Sequence, residues 1–173
     1  MSLTIAITVR QLPSRAALVA QTASAIRELI GDPGPSVLNL MEMVGGQRVQ
    51  PGLVTIVEGA VYVMIFKVEE FTAEVELSTF WRDSLPGLVS TDKAGQVVHI
   101  NVSSVRTAAD IALGAAVAVA VAREGEGRID DLSGAFAKRE SIAPEEFLRV
   151  ARTDRKGSLV DRLEDLVLRL PVP

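Results

Sequence analysis

The sequence predicts a single α+β domain: a mainly antiparallel sheet of about five strands, covered by helices, with a helical C-terminal region over about 140–170. Three observations carry this expectation. Strand-like stretches follow one another from residue 53 to residue 103, too closely spaced for βαβ crossovers. From residue 107 onward the pattern is helical apart from "RID" (128–130). The chain has 173 residues, 48% of them apolar, which suits one compact core rather than a disordered chain.

The elements read as follows. In "LTIAITV" (3–9), Ile5, Ile7 and Val9 alternate with Thr4, Ala6 and Thr8, a strand with one richer face. Ser14 is an N-cap for a helix over Arg15–Ile30, whose apolar positions are Leu18, Ile26, Leu29 and Ile30; Gly31 and "DPGP" end it. "SVLNLMEMVGG" (36–46) fits a short helix or a strand, and its Leu and Met content favours helix. "LVTIV" (53–57) and "AVYVMIFKV" (60–68) read as a hairpin through Glu58–Gly59, the second strand central because it is apolar on both faces. "TAEVELSTF" (72–80) turns Glu74 and Glu76 outward and Val75 and Leu77 inward. "QVVHINVS" (96–103) is the next strand.

The segment from Thr107 to Arg123 is uncharged from Ile111 to Ala122. That run falls short of the roughly 20 apolar residues that a membrane span needs, so it is expected as a buried helix. Ala109, Ala112, Ala116 and Ala120 give it a small-residue side for close packing, Thr107 and Asp110 form a capping pair, and Gly125 and Gly127 stop it. "APEEFLRVART" and "SLVDRLEDLVLRL" complete the chain as helices, the latter opened by Ser158 with Leu159, Leu163, Leu166, Val167 and Leu170 inward.

Composition narrows the function classes. With no cysteine, disulfides, thiolate metal sites and cysteine nucleophiles are excluded. A net charge of -4 argues against nucleic acid and anionic membranes as partners and suits a bacterial-type cytoplasmic protein. The N-terminus lacks the basic region and cleavage site of a signal peptide.

Each candidate site has a plainer structural reading beside it. His99 is the one histidine, with a pKa suited to acid–base work and Asp110 or Asp83 available to orient it. No nucleophile elbow accompanies it, and a lone strand histidine is more often structural. Glu126, Asp130 and Asp131 could give a hard cation its oxygen ligands, but the spacing fits no EF-hand. No metal or cofactor is therefore expected. Trp81 and Arg82 are residue types that anchor interfaces. Glu74 and Glu76 share a strand face that could steer a basic protein partner.

Asp110, Leu113, Gly114, Gly127, Ile129, Asp130 and Gly134 form a helix-to-Gly-x-Ile-Asp pattern over about residues 108–134. It resembles small bacterial immunity-type α/β proteins associated with polymorphic toxins, and departs from them in carrying Ile111 where their pattern has a histidine. The resemblance implies a cytoplasmic, non-catalytic protein that binds another protein. Two alternatives stay open: an acidic, dimeric chaperone for a secreted effector, and a small hydrolase or ligand-binding enzyme using His99.

Overall fold

The computed structural model describes residues 3–31, 35–50, 55–81, 95–102, 107–130, 141–153 and 156–170, the side chains of Leu3, Phe80 and Trp81 excepted. Among these, seven strands form one antiparallel sheet: β1 (Leu3–Val9), β2 (Val37–Val44), β3 (Gln47–Val49), β4 (Val61–Val68), β5 (Phe71–Trp81), β6 (Gln96–Val102) and β7 (Arg128–Asp130). Their spatial order is β3-β2-β4-β5-β6-β1-β7. Four helices accompany them: α1 (Arg15–Ile30), α2 (Ala108–Glu124), α3 (Pro144–Ala151) and α4 (Leu159–Arg169). The α+β reading stands, with seven strands rather than about five.

Two readings from the sequence are corrected. Residues 37–44 are a strand, not a helix. Gly45 and Gly46 both have positive φ (57° and 81°), as a two-residue type I′ turn demands, and that turn folds β3 back onto β2. Leu38 and Leu40 then meet Phe66 and Met64 across the pair with β4, and this tertiary pairing overrides the helix propensity of Leu and Met. The expected strand at 53–57 is not one either. Leu53 and Val54 lie outside the described residues, while Thr55 makes a single bridge to Ser14. The hairpin partner of β4 is β5, in the register Val61↔Ser78 to Val68↔Phe71.

The core face of the sheet is set by alternation. Ile5, Ile7 and Val9 of β1, Val98, Ile100 and Val102 of β6, and Val75 and Leu77 of β5 are all buried. Against them lies α2, in which every residue from Ile111 to Ala122 is buried. A helix apolar all round must be covered all round. Here β1, β5 and β6 take one side, while α1, α3 and α4 close the others. The close approach is visible at Gly114, where an added Cβ would stand 2.8 Å from Val102 Cγ2.

Both ends of α2 are tied to the sheet. At its start the Thr107 hydroxyl accepts from the Asp110 amide (3.2 Å), and the Asp110 carboxylate takes the Thr107 amide (2.7 Å). The other Asp110 oxygen accepts the Glu74 amide of β5 at 3.1 Å, so a single carboxylate caps the helix and holds the strand beneath it. At its end the Gly125 carbonyl accepts from the Arg10 amide (2.8 Å), and the Gly127 amide donates to Ala122 (2.8 Å). An added Cβ on Gly125 would lie 2.5 Å from Val9 Cγ1, and one on Gly127 would collide with the Thr8 carbonyl oxygen. The glycines let the chain leave a buried helix hard against β1 and turn at once into β7, which pairs with β1 through Ile7↔Ile129.

The C-terminal helices seal the outside. Phe147, Leu148 and Ala151 of α3 and Leu159, Leu163 and Leu166 of α4 are buried. They also satisfy the last carbonyls of α1: the Thr153 amide donates to Leu29 (3.0 Å) and Arg162 Nη1 to Ile30 (2.6 Å). Among the described residues no helix is long and apolar enough to cross a membrane.

Gly127→Ala is expected to lower stability by at least ~1–3 kcal/mol, the usual cost of overpacking, because its methyl group meets backbone that cannot move without breaking β1–β7. Urea unfolding measures this directly. A midpoint equal to that of the unsubstituted protein would show that the β1–β7 corner is looser than the structure implies.

Candidate functional site

All four helices lie on one face of the sheet, and among the described residues no helix or strand lies over the other. Register divides this second face into two halves. Toward β2 and β4 it is apolar: Met41 pairs with Val63, and Met43, Val61 and Ile65 lie on the same side. Toward β6, β1 and β7 polar side chains (Asn101, His99, Thr4, Thr8 and Asp130) alternate with Ala6 and Val97, which are fully buried. On this face Val37, at the start of β2, is 46% exposed; Val44 and Val49 alternate onto the other side of the β2–β3 ribbon, in phase with Leu40.

Glu74 and Glu76 do project away from the core, as their alternation with the buried Val75 and Leu77 requires. Their charges are partly answered within the chain. Arg48 Nη1 and Nη2 reach the two Glu74 oxygens at 2.8 and 2.5 Å, a forked pairing that clasps β3 to β5. Three strand spacings amount to about 14 Å in a flat sheet, so this contact requires the β2–β3 ribbon to coil over the face. Among the described residues Glu76 accepts from Asn101 Nδ2 alone (3.3 Å), and Asn101 in turn accepts from Thr4 (3.1 Å). Glu76 is thus the exposed acid of this surface. The β5 backbone extends through Trp81, which pairs with Gln96, but the Trp81 side chain and all of Arg82 lie outside the described residues.

His99 lies near the middle of the polar half, opposite Ser78 on β5 and Ala6 on β1. Burial pushes its imidazole pKa below the ordinary 6.5, since desolvation disfavours the charged form. A serine beside a histidine invites a nucleophilic reading. Yet at this point both strands are paired on both sides, Ser78 with Val61 and His99, and His99 with Ser78 and Ala6, so the local backbone is engaged in the ladders. Asp110, one proposed orienter, is occupied at the start of α2; Asp83 lies outside the described residues. Asp130 shares the His99 row beyond Ala6 but accepts from the Thr8 hydroxyl at 2.5 Å.

The acids after α2 are not brought together. Glu126 sits at φ 50° and faces Arg10 at 3.6 Å, while Asp130 is on β7; Asp131 lies outside the described residues. Among the described residues no group of three or more potential ligands is placed to hold a metal ion.

A second cluster was not legible in the sequence. Arg123, in the last turn of α2, is largely buried (side chain 19% exposed) and joins three helices. Its guanidinium donates to both Glu28 oxygens of α1 (2.8 and 3.1 Å) and both Glu145 oxygens of α3 (2.8 and 2.9 Å). Hydrogen bonds from Arg123 hold both carboxyl groups below their ordinary 4.5. The one available signal was an arginine directly after the uncharged run Ile111–Ala122. Beside it, between α1 and α3, lies a cleft of about 340 Å³ lined by Glu28, Leu148, Arg149 and Arg152. Compared with protein-family profiles, curated proteins and solved structures, the chain matches none.

Two titrations test these environments. Carboxylates depressed by Arg123 stabilise the fold above about pH 4.5, and that contribution disappears as pH falls through their lower folded values. Arg123→Met should therefore cost about 1 kcal/mol at neutral pH, discounted for the exposure of the two glutamates, with the difference shrinking in acid. A difference that persists unchanged at pH 3 would assign the loss to packing instead. For His99 the sign is set by a neutral folded form: its contribution is complete above 6.5 and is lost as pH falls from 6.5 through the lower folded value. An NMR midpoint for its ring protons at or above 6.5 would contradict the burial described.

Proposed function

We propose that this chain is a non-catalytic protein-binding domain, in the manner of a toxin-neutralising immunity protein, and that its partner docks on the helix-free face of the sheet. The observation that carries this reading is the make-up of that face. Met41, Met43, Val61 and Ile65 are only partly buried there, next to exposed Val37. Methionine side chains adapt to an incoming surface, and apolar side chains left without a cover by one chain are a usual contact for another. Glu76 and the Arg48–Glu74 clasp would form its polar rim, the kind of charge that governs association rate more than affinity. The ladder argument at Ser78 and His99 weighs against hydrolysis, which leaves binding as the better-supported activity.

A photo-crosslinking residue placed at Met43 in the native host should capture a specific protein, while the same residue at Leu168, on the outer face of α4, should not. Met43→Glu should then weaken the purified complex by tenfold or more, and Glu76→Lys should slow association at low salt without changing the fold. Capture from Leu168 with none from Met43 would move the interface to the helices. If the captured protein is toxic when expressed alone and harmless when co-expressed with this chain, the immunity reading is supported. A partner whose toxicity is unaffected would overturn it.

A further inference from the structure

We infer that the cleft between α1 and α3 is a binding site for a small oxyanion: a phosphate or carboxylate group carried on a compact ligand. Its volume of about 340 Å³ lies at the small end of the range of ligand sites. Two guanidinium groups, Arg149 and Arg152, line it. They are three residues apart, on the last turn of α3 and its C-cap, so their side chains rise on one side of the helix.

The electrostatics around the cleft are uneven. Glu28 also lines it, but both Glu28 oxygens are already held by Arg123, and the same arginine holds Glu145. Among the described residues neither the Arg149 nor the Arg152 guanidinium has an ion pair or hydrogen bond. In a chain with net charge -4, two adjacent arginines against one glutamate, which Arg152 also helps to keep charged, are a local excess of the opposite sign over a concave surface. A guanidinium presents its donors as a planar fork that matches two oxygens of a phosphate or carboxylate. Leu148 provides the apolar floor on which a short carbon skeleton can rest.

Cations at this position also offset the partial negative charge of the α3 C-terminus, which is the purely structural account of them. The two accounts differ at Glu28. For helix stabilisation its charge is irrelevant or favourable. For an anion entering the cleft it is a repulsive rim.

The full-length protein would be titrated with inorganic phosphate and, separately, with succinate, following the arginine Nε–H and residue 148–152 amide signals by NMR. Sodium chloride would hold ionic strength constant. Saturable shifts are expected, weakened about tenfold or more by Arg149→Gln or Arg152→Gln, since each removes a charge-assisted contact. They should be unchanged by Arg10→Gln, whose side chain pairs with Glu126 and does not line the cleft, and strengthened several-fold by Glu28→Gln. Saturation by phosphate alone or succinate alone supports the site and identifies its class. Shifts linear in concentration, absent with both anions, or preserved in an Arg149→Gln/Arg152→Gln protein whose amide spectrum shows an intact fold would overturn it. This outcome does not depend on the protein partner of the sheet face.

Discussion

Covering α2 on every side is the constraint from which the rest of the structure follows. Its residues from Ile111 to Ala122 offer no polar side chain to solvent, so the chain must supply a sheet beneath it and helices around it. That requirement places β1, β5 and β6 against one side and brings α1, α3 and α4 to the others. It also explains the low aromatic content of 4%. A helix of alanine, glycine and valine lies so close to the sheet that bulky rings would not fit between them, as the 2.8 Å approach at Gly114 indicates.

Burial of a helix leaves its ends as the difficulty, because the terminal amides and carbonyls must be satisfied without water. The same solution appears at both ends. Asp110 caps the first turn and accepts a strand amide; Gly125 and Gly127 let the last turn press against β1 and hand the chain to β7. Arg123, the first charge after the buried run, emerges where three helices meet and is held by two carboxylates. The covered carbonyls at the end of α1 are met by Thr153 and Arg162, so the C-terminal helices complete α1 as well as shield α2.

The four described helices lie on one side of the sheet. The sheet face without helices mixes adaptable apolar side chains with a polar half; the helical side carries the arginine-lined cleft. On the sheet face His99 lies opposite Ser78 and Ala6 on paired interior strands. Binding by surface complementarity asks less of such a face. A partly buried apolar patch with one internally paired acid and one exposed acid is sufficient.

Local pattern alone determined a good deal about this protein. The alternation in residues 3–9 and 72–80, the apolar strand at 60–68, the strand at 96–103, the caps at Ser14, Thr107 and Ser158, and the burial of α2 follow from side-chain period, hydrogen-bonding chemistry and apolar content, all properties of neighbouring residues. Glu74 and Glu76 were legible as outward for the same reason. Tertiary structure decided the rest. Residues 37–44 are a strand only because β4 lies beside them and Gly45–Gly46 turns β3 back. Arg48 meets Glu74, and Arg123 meets Glu28 and Glu145, across separations in the chain that no local period encodes. The order β3-β2-β4-β5-β6-β1-β7 places the first strand near one edge beside the last, a choice made by the need to bury a single helix from every side at once. Sequence period assigns each side chain to a face of its own element. Which face is then covered, and by what, depends on long-range packing.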